Sequence, residues 1–380
     1  MKYSLQPRRT ASSFTHLMGT TSILLMTSAC GELPGFTVDA KTDDFAQVPV
    51  LNDKIDILFV VDNSGSMANE QANLASSFGS FIEKFSEKDL KFQVGVISTD
   101  VFNNANYWAA TGGYSASSPY KNLPNGGPGT LLSKIGNDRI ITPDSVDFIS
   151  QFQENVQLGT GASGAEAGIF SVIKFFNPTL FAEGGWNAGF IRDEAFLAVI
   201  FVSDEDESWG ISGTPGISST AFIRTLTGGQ KESRLAEFRQ ALMTAKNNDL
   251  DKIRVDSIVA TTVAECPTVG YTAGFPGTGE VYKEAVEIFE KGNVSNICQD
   301  FSSDLESIGQ GLVTLLAKFK LVQKPQGQIE VRVDGVVVPR DPVNGWEYLP
   351  ETQEVEFRGT AIPNANSKIT VKYVPGAPLE

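Results

Sequence analysis

Apolar residues along this chain come in two rhythms. Short, nearly continuous runs at Ile55 to Val61, Lys91 to Thr99, Ala195 to Ser203 and Val255 to Ala260 predict buried strands. Between them, apolar residues recur at helical spacing, each set forming one stripe. Leu74, Phe78, Phe81, Ile82 and Phe85 follow Glu70. Phe148, Phe152 and Val156 follow Thr142 and Pro143, which read as helix cap and first-turn proline. Ala165, Ile169, Val172, Ile173 and Phe176 make a third stripe, and Leu235, Phe238 and Leu242 a fourth. Leu305, Ile308, Leu312, Leu315, Leu316 and Phe319 make the last. Strands alternating with helices predict an α/β fold, a doubly wound, mostly parallel sheet covered on both faces.

The rhythm changes after Gln323 to Gly327. "QIEVRVDGVVVP" alternates at period two around an Asp334-Gly335 hairpin signal, and "WEYL", "EVEF" and "KITVKYV" continue it. A small all-β, sandwich-like domain is expected over 326–380. Two stretches, 103–129 and 209–229, have no period and read as long surface loops. Tyr107, Trp108, Tyr114 and Tyr120 in the first either offer a binding surface or fold that loop onto the domain.

At the amino end Lys2, Arg8 and Arg9 precede an apolar core, Leu17 to Met26, and "TSAC" closes at Cys30. This is a signal-peptide pattern, and its end is similar to that of bacterial lipoproteins. The resemblance implies cleavage before Cys30 and lipid on its thiol and new amino group; an ordinary secretory signal is the alternative. The expected organisation is a signal peptide over 1–29, a lipidated terminus and tether over 30–52, an α/β domain over 53–322 and the β domain. Gly31 stands where an aspartate often signals inner-membrane retention, so the resemblance favours the outer membrane of a bacterial envelope.

Composition narrows the chemistry. The 380 residues carry a formal net charge of −15, a globular, acidic balance that argues against a nucleic-acid partner. The only histidine, His16, lies in the leader. A mature chain without histidine has no Ser-His-Asp or Cys-His catalysis and no histidine-ligated metal. Cys266 and Cys298 remain besides Cys30, and an oxidising compartment favours a disulfide between them.

Asp62, Ser64 and Ser66 form D-x-S-x-S at the end of the first predicted strand. Thr160 precedes a helix in "LGTGASGAEAGI", and Asp204 ends another buried strand in "VIFVSDED". Ligands bind outside the carboxyl ends of the strands in open α/β sheets, where three such loops converge. The set resembles the von Willebrand factor A domain and its metal-ion-dependent adhesion site, and the chain as a whole resembles bacterial lipoproteins that carry this domain. By that resemblance Ser64 and Ser66 bind a divalent cation directly, while Thr160, Asp62 and Asp204 bind directly or through water. Such oxygen donors suit Mg²⁺ first, with Mn²⁺ or Ca²⁺ as alternatives. Neutral hydroxyl ligands leave the ion positive charge with which to hold an acidic group of a protein or glycan.

Other readings compete. D-x-S-x-S also caps helices, and Glu205, Asp206 and Glu207 read as a solvated loop or first helical turn before they read as further ligands. Gly159, Gly161 and Gly164 match G-x-G-x-x-G without a preceding strand, no lysine stands at a P-loop position, and "DNSGS" lacks a second aspartate. A non-enzymatic binding protein is therefore expected, lipid-anchored and cation-dependent. The alternative is an envelope scaffold whose metal site is structural and whose β domain docks the partner.

Overall fold

A computed structural model describes residues 45–49, 51–100, 129–160, 166–209, 224–225, 228–266 and 278–376. The leader, Cys30, the four loop aromatics, Gly161 and Gly164 lie outside these residues. In chain order the elements are β1 (Phe45–Gln47), β2 (Lys54–Val61), α1 (Ala68–Ser86), β3 (Lys91–Ser98), α2 (Phe148–Asn155) and α3 (Gly168–Phe175). A single turn α4 (Pro178–Phe181), β4 (Phe196–Ser203), β5 (Ser208–Trp209), β6 (Arg224–Thr225), α5 (Gly229–Ala245) and β7 (Ile253–Val259) follow. Then come α6 (Glu280–Phe289), β8 (Val294–Asn296), α7 (Ser302–Leu316) and β9 (Lys318–Lys320). The chain closes with β10 (Pro325–Val333), β11 (Val336–Val338), β12 (Trp346–Leu349), β13 (Glu354–Phe357) and β14 (Ile369–Pro375).

The central sheet is parallel throughout, in the order β3-β2-β4-β7-β8. Its apolar runs are continuous because both faces are covered. Along β2, Ile55, Ile57, Phe59 and Val61 point into one core, and Leu58 and Val60 into the other. The first core is aromatic: Phe78 of α1 stacks on Phe152 of α2 with centroids 3.5 Å apart, and Phe59 meets Phe152 edge-on at 4.9 Å. The second gathers α3, α5 and α6 around Phe201, Phe238 and Tyr282.

Two expected helix boundaries shift. α2 starts at Phe148, not Thr142, because the Thr142 hydroxyl accepts the Asp144 amide and closes a local turn, and Asp147 takes a left-handed φ of 47° just before the helix. Phe319 belongs to β9 and not to the last helix. The hairpin signal holds: Asp334 and Gly335 take φ of 50° and 83°, the turn that matches strand twist, and Val333 pairs with Val336.

The tail forms antiparallel sheets, β1-β14-β10-β11 and β12-β13-β9. β1 lies within the stretch read as a tether, and Phe45 pairs with Tyr373. Val331, Trp346, Phe357 and Tyr373 belong to the same apolar cluster as Phe59 and Phe81. Cys266 and Cys298 are disulfide-bonded, with Cα atoms 5.3 Å apart, joining the segments that follow β7 and β8.

Candidate metal centre

The carboxyl end of β2 delivers Asp62 into the sheet's upper crevice. The Asp62 amide donates to the Val202 carbonyl (2.9 Å), which extends the parallel ladder by one residue and holds β2 against β4. The fully buried carboxylate accepts the Ser64 amide at 2.7 Å, which turns the chain, and the Ser203 hydroxyl at 2.7 Å. The turn brings the Ser64 and Ser66 hydroxyl oxygens within 3.2 Å of each other. Ser64 is buried and Ser66 exposed. The competing capping role is not what these side chains do: Met67 occupies the cap position of α1.

The residue after β4 is Asp204, 3% exposed, whose carboxyl lies beside the Ser66 hydroxyl and the Asp62 carboxyl. Its Oδ1 is buried without a hydrogen-bond partner. The acidic residues after it separate by role. Glu205 is half-buried beside Asp62 and Asp204. Asp206 and Glu207 are buried helix anchors and not a solvated loop. Asp206 accepts the Val281 amide in the first turn of α6 (2.9 Å), and Glu207 accepts the Ile169 and Phe170 amides in the first turn of α3 (2.9 and 3.1 Å). Both carboxylates complement the positive ends of those helices. Glu207 also pairs with Arg234 at 3.0 Å and accepts from the Tyr282 hydroxyl at 3.2 Å. Tyr282 fits there because residue 168 is glycine: a Cβ would stand 2.9 Å from its hydroxyl oxygen.

The third loop is tied in from α1. Gln71 Nε2 donates to the carbonyls of Asp62 (2.8 Å) and Gly159 (3.0 Å), and its Oε1 accepts the Gly159 amide (3.1 Å). Thr160, the next residue, is exposed. Beyond it Glu166 is 0% exposed: the Thr99 hydroxyl donates to its Oε2, its carboxyl touches that of Asp62, and Oε1 has no partner. Its main chain is fixed by the Ser208 amide donating to its carbonyl, and the Ala167 amide donating to the Thr99 carbonyl.

Sequence reasoning missed Gln71, Ser203 and Glu166. Gln71 had a signal, being a polar residue on the stripe that continues through Leu74, Phe78 and Phe81. Glu166 had only its place as a lone acid between small residues and an apolar helix, a weak mark.

Electrostatically the crevice is strongly acidic. Burial, with the Asp204 charge next, pushes the Asp62 carboxyl up to about 7. Burial, followed by Asp62 and Asp204, pushes Glu205 to about 7, and burial with Asp62 holds Glu166 well above the usual range. Asp204 and Glu70 also rise, burial first. Among the described residues no group of three or more His, Cys, Asp and Glu side chains is arranged to hold a metal ion. The donors that do converge are Asp62, Asp204, Ser64 and Ser66, two carboxylates and two hydroxyls. This is a hard-oxygen set of the kind Mg²⁺, Mn²⁺ and Ca²⁺ take, and the orphaned Asp204 Oδ1 fits a cation as its missing partner.

No protein-family model matches the chain, and no curated protein matches it in sequence. Solved structures with a similar course include the pilus adhesin SpaC of Lactobacillus rhamnosus GG in its open conformation, at 12% identity and TM-score 0.39, covering 84% of this chain and 38% of that one. Proximal thread matrix protein 1 from the mussel byssus is similar at 10% identity and TM-score 0.36, covering 73% and 51%. The form of that protein with a zinc occupied MIDAS motif gives 11% identity and TM-score 0.35, with the same coverage. The chain thus spans between about two fifths and half the length of these proteins.

Proposed function

We propose that this protein is a cation-dependent adhesion protein of the von Willebrand factor A type. In this reading Asp62, Ser64, Ser66, Thr160 and Asp204 hold one divalent cation, Mg²⁺ in the first place, at the carboxyl end of the sheet. The observation that carries it is the meeting of Ser64, Ser66, Asp62 and Asp204 in one crevice, with a buried Asp204 oxygen left unpaired. The bound cation would supply a positive point of attachment for an oxygen of the partner. The chain's own residues fix that point: Ser203 and the Ser64 amide orient Asp62, and Gln71 holds the Thr160 loop against it. The partner is a protein or glycan that presents an acidic group.

With a net charge of −15, the chain has no general attraction to an acidic surface, so such binding would have to pass through the cation. Retention of the full chain on immobilised polygalacturonate or poly-L-glutamate tests this. Retention in Mg²⁺, Mn²⁺ or Ca²⁺ that is released by chelator and lost in Ser66→Ala supports the reading. Partner binding by the chain that ignores chelator and Ser66→Ala contradicts it and favours a scaffold docking through the β strands.

Lipid anchorage at Cys30 in the bacterial envelope, on its outer membrane, is part of the same proposal and rests on the leader sequence. Among the described residues no helix is long and apolar enough to cross a membrane. Metabolic labelling with palmitate in a bacterial host, lost in Cys30→Ala, tests the anchor.

A further inference from the structure

We infer that the cleft beside Arg139 is a separate binding site that needs no cation, and that it takes a uronic acid, a sugar ring carrying one carboxylate. The inference goes beyond the adhesion-site reading and stands whether or not the Asp62 centre binds a metal ion. The cleft has a volume of about 530 Å³ and is lined by Ser133, Lys134, Asp138, Arg139, Ile140 and Trp186 among others. That is the size of a small-molecule site. One wall is a stacked pair: the Arg139 guanidinium carbon lies 4.1 Å from the centre of the Trp186 ring. The Trp186 indole N–H donates to the Leu131 carbonyl at 2.6 Å, which fixes the ring.

Arg139 bears the mark of a ligand-binding group. Among the described side chains the other buried or half-buried arginines are Arg192, Arg234, Arg254, Arg332 and Arg358, and each pairs with a carboxylate. Half-buried Arg139 makes no ion pair and no hydrogen bond with any described residue, in a chain of net charge −15. Burial draws its pKa below the usual arginine value, with no carboxylate opposing the shift. A guanidinium held over an aromatic face keeps its edge N–H groups for a carboxylate, which accepts two of them in parallel. The loop is also set before a ligand arrives. Its ends pair with β3, the Leu132 amide donating to the Val96 carbonyl (2.8 Å) and the Ile141 amide to the Val94 carbonyl (2.9 Å). Between them α2 clamps it: Asn155 accepts the Lys134 amide (2.8 Å) and donates to the Asp138 carbonyl (2.9 Å), and Gln151 accepts the Asp138 amide (2.7 Å). Binding there costs little ordering.

The lining selects the ligand. Lys134 is engaged by Glu154 at 2.7 Å, which leaves Arg139 as the free cation of the cleft among the described residues. Asp138 is exposed and lines the same space, where its carboxylate repels a bare anion and accepts hydroxyl groups. The Ser133 hydroxyl can donate or accept, and Ile140 with the Trp186 ring offers apolar surface. A uronic acid meets all three demands: a carboxylate for Arg139, hydroxyls for Asp138 and Ser133, and an apolar ring face. An acidic protein side chain meets only the first and leaves Asp138 opposed. One such contact corresponds to an affinity of about 1 mM, too weak to retain the chain on a surface. It therefore adds to adhesion through the cation and does not replace it.

Saturation-transfer NMR of sodium galacturonate with the full chain in chelator tests the site apart from the cation centre. Saturable binding at about 1 mM is expected, with galactose about tenfold weaker or more. Arg139→Gln should weaken galacturonate about tenfold or more. Asp138→Ala, at an exposed position, separates a saccharide site from a plain anion site. Loss of a hydroxyl acceptor should weaken galacturonate about threefold, whereas loss of a repelling charge alone would tighten it. No binding by folded wild-type protein, binding unchanged in Arg139→Gln, galactose bound equally well, or galacturonate bound as tightly or more tightly by Asp138→Ala each overturns the assignment. None of these outcomes touches the Asp62 centre, whose failure is read from titration with the metal ions themselves.

Discussion

Gln71 and Gly159 exchange two hydrogen bonds, at 3.0 and 3.1 Å, and the same Gln71 amide nitrogen also donates to the Asp62 carbonyl. One side chain therefore sets the distance between the loop carrying Asp62, Ser64 and Ser66 and the loop carrying Thr160. Gln71→Ala should lower cation affinity about 10- to 100-fold, the usual effect of losing a group that orients ligands. It should destabilise the fold by only about 1–3 kcal/mol. Calorimetric titration beside a urea melt measures both. Equal affinity in a folded Gln71→Ala protein would mean that Thr160 takes no part.

Glu207 should prove structural and silent toward cations. Glu207→Ala strands Arg234 and leaves two α3 amides without their acceptor, so a loss of about 3–5 kcal/mol is expected. Bound-cation number should not change under conditions where the variant is folded. A lost cation without lost stability would return Glu207 to the ligand set.

Acidity should control both stability and cation binding. Asp62, Glu205, Asp206 and Glu207 stand at about 7 when folded, against ordinary values near 4. Between those limits the folded chain holds more protons than the unfolded one. The metal-free protein is therefore most stable below about pH 4 with respect to these groups and loses that stability as pH rises through 7. Thermal melts of chelated protein should fall in Tm from pH 5.5 to 8. Added cation should reverse the trend at pH 8 and have little effect at pH 5.5, because it competes with protons on Asp62. A metal-free Tm that rises steadily from pH 5.5 to 8 would refute the acidic-crevice assignment.

The sheet, and the meeting of Asp62, Ser64, Ser66 and Asp204 at its end, were legible in the sequence because their signals are local. The run Leu58 to Val61 serves two faces of one strand and so loses its alternation, and Asp62 and Asp204 announce themselves by ending such runs. The roles of the acids after Asp204 were not legible. Adjacent residues on one loop reach different helices, Asp206 the start of α6 and Glu207 the start of α3, and sequence spacing says nothing of which helix lies where. Glu166 was hidden for the same reason: its partners, Thr99 and Asp62, are brought to it by the parallel order of β2 and β3. β1 escaped because three residues of tether-like composition become a strand only when β14 offers an edge.

The tail strands should fold with the α/β part and not after it, since Phe357 and Trp346 share its apolar cluster. Phe357→Ala should cost about 3–5 kcal/mol. In protein with Trp108, Trp186 and Trp209 replaced by Phe, so that Trp346 alone is read, circular dichroism of the helices and Trp346 fluorescence should lose signal in one coincident urea transition, at lower urea in the variant. Two separate transitions, with only the fluorescence one shifted, would show the tail to be an independent unit.

Cation binding at the end of β2 is the claim on which the rest depends. Titrating Mg²⁺, Mn²⁺ and Ca²⁺ by calorimetry into metal-stripped full chain at pH 8, beside Asp62→Ala and Ser64→Ala, tests it directly. The account predicts saturable binding of at least one of these ions, lost or weakened at least 100-fold in both variants. Protein shown to be folded that gives neither heat nor a Tm shift with any of the three, or binding that survives both substitutions, would contradict it.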